Sequence, residues 1–183
     1  MATDKEKIVL GSGKLYMSEW DGENIPADTD LEIETNLLGL IKGGASLAYT
    51  PTFYEAKDDL GLRSKKILTN ETSTLTSGIM TWNGKTLNKL IATGKITEGS
   101  GKRTLKIGGM ANYNDKKYVI RFLHEDEQDG NIRVTIIGSN NTGFTLAFAK
   151  EGETVINAEF AAVPHDTTGT LIIYEEDIPN IED

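Results

Sequence analysis

The chain has 183 residues, 38% hydrophobic and 26% charged, a balance that supports one folded domain and argues against bulk disorder. It contains no cysteine, which excludes disulfides and Cys-ligated metals. Its formal net charge of −9 repels phosphate and so opposes tight binding to DNA or RNA.

Residues 1–7 are polar and no long apolar stretch follows them, so a soluble protein without a cleaved signal is expected. No apolar run approaches the roughly 20 residues of a membrane helix. With 19 Gly and only 4 Pro, the composition suits many strands joined by tight turns. Residues 8–17 are apolar and interrupted by Gly11 and Gly13, a first strand candidate. Residues 31–41 mix apolar and polar residues without a helical stripe. Residues 45–54 carry Leu47, Tyr49 and Phe53 at even spacing, which puts them on one strand face.

Residues 55–66 differ in kind. Glu55, Lys57, Asp58, Asp59, Arg63, Lys65 and Lys66 make this connection too polar for a core, although Leu60 and Leu62 flank Gly61. It reads as a solvated loop or as an arm that touches a partner. Residues 73–82 are rich in Thr and apolar residues and form the next strand. Leu87, Leu90 and Ile91 then give a single apolar stripe, predicting a short helix over residues 84–92 with Asn83 as its cap and Gly94 as its left-handed stop. Residues 103–108 alternate briefly. The clearest hairpin spans residues 118–137, where Ile132, Val134 and Ile136 alternate with polar residues after an Asp129-Gly130 turn. Residues 144–149, 155–163 and 170–174 complete the predicted strands, and the acidic residues 175–183 read as a solvated tail.

Chemical motifs are weak. The two histidines, His124 and His165, have no H-x-x-x-H spacing and no cysteine to assist them, so neither zinc nor catalytic chemistry is predicted. A Walker loop ending at Gly101-Lys102 would need Gly at position 96 and Ser or Thr at 103, but finds Ile96 and Arg103. At Gly13-Lys14 the leading Gly is replaced by Ile8. Aligning Glu125, Glu127 and Asp129 as a calcium loop puts Ile136 where Glu is required. The Asn70-Glu71-Thr72 and Asn140-Asn141-Thr142 triplets carry no weight without a secretory signal. No enzyme, metal or cofactor is expected.

The order of segments is informative. The opening Ile8-Val9-Leu10-Gly11-Ser12-Gly13-Lys14-Leu15-Tyr16 resembles the start of phage tail tube (major tail) proteins. So do the Gly43-Gly44 turn before a strand with Tyr49, the charged arm after it, and the passage from Ser77-Gly78-Ile79-Met80-Thr81-Trp82 straight into a helix. Lys102-Arg103-Thr104-Leu105-Lys106-Ile107-Gly108-Gly109 and the closing Glu159-Phe160-Ala161-Ala162-Val163-Pro164 with Gly169-Thr170-Leu171 fit the same plan. The resemblance covers residues 8–176 and lies in the ordered set, since each motif alone is common.

That resemblance implies a mainly β chain: a sandwich or barrel of two packed sheets, one short flanking helix and an extended charged hairpin or loop. It implies a single domain over residues 1–183, with an N-terminal arm (1–17), a charged arm (about 49–66) and the acidic tail. Subunits of this kind form hexameric rings that stack into a hollow conduit for DNA delivery, in a virion tail made in the bacterial host cytoplasm. The implied partners are further copies of the chain, tail tip or baseplate proteins and tail terminator proteins, with DNA in transient passage and no membrane. The implied contacts between copies are Tyr49, Phe53, Tyr54, Asp58, Asp59, Leu60, Arg63 and Lys65. Two alternatives stay open: a tube subunit of a contractile injection or type VI-like secretion system, and a monomeric β-sandwich binding module. For the last, Trp20, between Glu19 and Asp21, is the candidate exposed aromatic.

Overall fold

Strand accounts for 47% of the chain and helix for 9%, so the expected mainly β class, with two packed antiparallel sheets and few short helices, is the one found. The computed structural model describes residues 8–178. The strands are β1 (Lys14–Glu19), β2 (Leu37–Gly39), β3 (Ile41–Lys57), β4 (Ser64–Ile79), β5 (Gly94–Gly99), β6 (Lys102–Ile107), β7 (Tyr118–His124), β8 (Ile132–Asn140), β9 (Ile156–Ala162) and β10 (Ile173–Glu176). The helices are α1 (Asp28–Leu31) and α2 (Gly84–Lys89).

The large sheet runs β2-β1-β7-β8-β9-β4-β3, with β10 paired to β8 beside β9. Its two ends, β2 and β3, are joined in sequence by the single residue Leu40. The sheet must therefore bend round until its edges nearly meet, as a barrel does. Gly39 marks the seam: its φ is +150°, and a Cβ there would lie 2.1 Å from the Thr81 carbonyl oxygen. Inside lies one cluster that includes Leu15, Met17, Leu75, Ile120, Ile136, Ile156 and Phe160. Each such side chain contributes about 1.5–3 kcal/mol of burial. Helix α2 closes the cluster with Leu87 and Leu90, and the β5–β6 hairpin packs on it through Leu105.

Asn83 caps α2 as predicted: its Oδ1 accepts from Lys85 N–H at 2.8 Å and Thr86 N–H at 3.2 Å. The helix is shorter than residues 84–92, and Gly94 is not its stop. Leu90 is the C-cap, and Gly94 opens β5 against Asn88, whose Oδ1 would sit 2.5 Å from an added Cβ. Three further expectations are corrected. Residues 8–13 are not strand, because the chain turns at Gly11 (φ +113°) before reaching β1. Residues 144–149 are not strand either. Phe144 and Leu146 pack on the core without joining a ladder. Residues 175–178 are exposed, but they do not begin a free tail: Glu175 and Glu176 lie in β10, and Asp177 pairs with Arg133 at 2.8 Å. The rest of that tail prediction (179–183), and residues 1–7 of the N-terminal arm, lie outside the described residues.

A second, smaller cluster sits on the outer face of β1, β7 and β8, where Tyr16, Leu31, Val119, Leu123 and Ile137 gather. Trp20 packs against it rather than standing exposed, which removes the candidate binding aromatic. Arg121 is buried beside this cluster at 3% exposure. Its Nε donates to Thr135 Oγ1 at 2.8 Å, and its guanidinium pairs with Asp28, with Glu32 at 3.1 Å and with Glu175 at 3.5 Å. Arg133 shares Glu32 at 2.8 Å. Together they fasten α1 and β10 onto the sheet.

Candidate assembly surface

Strands β3 and β4 pair over nearly their whole length, from Ile41↔Ile79 to Lys57↔Ser64. Only the lower part of this hairpin is supported by the body, because β9 pairs with β4 over Thr74 to Ile79 alone. Residues 49–57 and 64–73 therefore project as a two-stranded arm, about 30 Å long at roughly 3.3 Å per residue. All of residues 49–70 are exposed. Their sequence still favours strand, since Thr, Tyr, Phe and Ile fit a pleated ribbon.

Register sorts the arm into two faces. Tyr49, Phe53 and Leu68 share one face, with the pairs Tyr49↔Ser73 and Phe53↔Leu68. Tyr54 and Ile67 face the other way as a direct pair. A bulge at Thr69 shifts the register between Thr52 and Phe53 and adds local twist. Phe53 is 48% exposed and Tyr54 59%, so apolar area is open to water on both faces. The Tyr49 hydroxyl donates to Glu71 at 2.7 Å, and that hydrogen bond holds its pKa above the ordinary value. Lys66 Nζ lies 4.3 Å from the Phe53 ring centre, a cation–π contact.

The tip is a tight turn. Asp58 Oδ1 accepts from Arg63 N–H at 2.5 Å, and Asp58 N–H donates to the Arg63 carbonyl at 3.1 Å. Gly61, at φ +67°, lets the chain reverse. The Asp58 carboxylate is thus engaged within the turn, whereas the guanidinium of Arg63 and the ammonium of Lys65 have no ion-pair partner among the described residues. Leu60 and Leu62 stand at the tip, the former 80% exposed. The eight residues singled out from sequence are gathered on one projection. Exposed Leu62 at the tip belongs with them, as do Ile67 and Leu68 on the returning strand, which begins at Ser64 and not at Ser73 as expected.

Elsewhere the polar groups serve structure. His124 is buried, and its Nδ1 lies 2.8 Å from the Ser12 carbonyl oxygen. Asp166 closes the 166–169 turn, accepting from Thr168 and Thr170 N–H groups at 2.9 Å each, and hydrogen bonds from Thr170 and Thr168 hold its carboxyl well below the usual range. Among the described residues, no group of three or more His, Asp or Glu is placed to hold a metal ion. None of their helices is long and apolar enough to cross a membrane. No protein-family model matches the chain, and no curated protein matches it either.

Proposed function

We propose that this protein is a self-assembling structural subunit of the phage tail tube kind, whose copies form hexameric rings that stack into a conduit for DNA. The projecting arm is the observation that carries this reading. A lone two-stranded hairpin is marginal in water, and this one leaves aromatic and aliphatic side chains uncovered on both faces. Among the described residues strand β3, 17 residues long, pairs with β4 alone, so its outer edge along the arm is open to pairing with another chain. A partner would cover both. An arm at one end of a subunit makes a head-to-tail contact, and repeated head-to-tail contacts generate rings or filaments. The net charge of −9 suits a bore past which DNA slides without sticking; a tube with a predominantly basic bore would refute that assignment.

The decisive experiment is negative-stain electron microscopy of the purified chain across a concentration series, with light scattering alongside. Rings or hollow tubes are expected, alone or once tail tip proteins are added to nucleate them. A strict monomer at high concentration, with and without such nucleators, would overturn the proposal.

A further inference from the structure

Charge is not spread evenly along the chain. Residues 83–117 hold eight Lys and Arg against Glu98 and Asp115, a net charge of +6, so the remaining residues carry −15. This basic segment comprises α2, the β5–β6 hairpin and the loop that follows it. The hairpin is a two-stranded sheet of its own, and its register sorts the charges. Ile96, Arg103 and Leu105 share the inner face, where Leu105 packs on the core and Arg103 holds Glu98 at 2.6 Å. On the outer face Lys95 stands directly opposite Lys106, Thr97 opposite Thr104, and Lys102 opposite Gly99. Lys95, Thr97, Lys102, Thr104 and Lys106 are all exposed, and the hairpin places no carboxylate among them. Like charges directly opposite each other destabilise a strand pair. Yet Lys95, Lys102 and Lys106 have no ion-pair partner among the described residues, in a chain with 28 Asp and Glu.

We propose that this outer face binds the phosphate backbone of double-stranded nucleic acid, loosely and without sequence preference, an inference that goes beyond the self-assembly proposed above and does not depend on it. Shape favours a duplex over an acidic protein. The turn at Ser100 and Gly101, at φ +52° and +73°, closes the hairpin with two residues, so the ribbon is only two strands wide. Its strands lie about 5 Å apart, and the major groove of DNA, about 12 Å across, admits a two-stranded ribbon. Lysine ammonium groups and threonine hydroxyls both donate to phosphate oxygens. The face carries no Arg, Asn or Gln, side chains that grip base edges bidentately, which favours backbone contact over base readout. The −15 on the rest of the chain keeps the hold weak. Non-specific phosphate contacts of this kind let a protein and a duplex slide past each other.

The test uses the full chain, at concentrations where light scattering shows it unassembled, and a short fluorescent DNA duplex of mixed sequence followed by anisotropy over a salt series. Three forms are compared: wild type, Lys95→Gln with Lys102→Gln and Lys106→Gln, and Lys57→Gln with Lys65→Gln and Lys66→Gln. The last removes the same charge from the arm and controls for net charge. Circular dichroism checks folding. Wild type should bind at low salt and weaken as salt rises, with a slope of about −2.7 in log affinity against log salt for three phosphate contacts. The hairpin variant should bind about tenfold more weakly or worse and lose most of that slope, while the arm variant stays within about twofold of wild type. A folded wild type that does not bind at low salt would overturn the proposal. Equal losses in the two variants would overturn it as well, by assigning the effect to overall charge. Competition by polyglutamate as strong as that by unlabelled duplex would give the face to an acidic protein and refute the nucleic-acid assignment. None of these outcomes bears on whether the copies stack.

Discussion

At the scale of single residues, Arg121 decides most. Its charge is taken out of water and repaid by Thr135 and three carboxylates drawn from α1, from Glu32 just after it, and from β10. Removing one member of a buried pair leaves the other uncompensated, so Arg121→Ala should cost about 3–5 kcal/mol in urea unfolding. Arg121→Met combined with Glu32→Met should recover much of that loss, since apolar groups of similar size replace buried pairs at little cost. A loss below about 1 kcal/mol for Arg121→Ala would mean the cluster behaves as a surface network. Asp166 makes a separate prediction with a definite sign. Its carboxyl is held below its unfolded value by Thr170 and Thr168. The stability it provides is therefore fully present above about pH 4, the ordinary aspartate range, and is lost as pH falls towards the folded value. Asp166→Ala should be less stable than wild type at pH 6, and the gap should narrow in strong acid. An undiminished gap at pH 2 would assign the effect to turn geometry instead of ionisation.

At the scale of elements, the arm should be dispensable for folding, because no core side chain comes from residues 49–70. Replacing residues 55–66 by a short Gly-containing turn should leave the thermal midpoint within about 2 °C and abolish stacking. Long tubes from the shortened chain would refute the role given to the arm. Legibility in the sequence followed physical cause. The β7–β8 hairpin was plain, because Ile132, Val134 and Ile136 alternate beside an Asp-Gly turn. The α2 start was plain because Asn83 has the side chain a cap requires. Residues 144–149 misled because Phe144, Leu146 and Phe148 alternate like a strand, while Phe144 and Leu146 pack on the core without joining a ladder, an outcome of tertiary packing that local pattern does not decide. Arg121 was missed although a signal existed. Val119, Ile120, Phe122 and Leu123 are apolar on both faces of β7, so a charge among them has to be buried and paired. Residues 64–72 were missed because exposed Thr, Lys and Asn resemble a loop, and their strand partner across the hairpin is visible only in three dimensions.

At the scale of the whole molecule, the chain combines a closed body with an open ribbon. In the body, most strands have neighbours on both sides and a dense apolar interior. In the arm, backbone hydrogen bonds are exposed and no buried contact holds them closed. Amide exchange reports that difference directly, because local opening costs least where few apolar contacts must break. In the dilute protein, amides of residues 49–73 should exchange within the fastest class, while those of Ile120, Ile136 and Phe160 exchange only through global unfolding. On assembly, a partner covering the arm should slow its exchange by orders of magnitude and leave the body amides nearly unchanged. Protection confined to the arm and to one patch of the body would map both halves of one head-to-tail contact. Protection that spared the arm while tubes formed would mean that the copies meet by another surface, and the ribbon would then need a different partner.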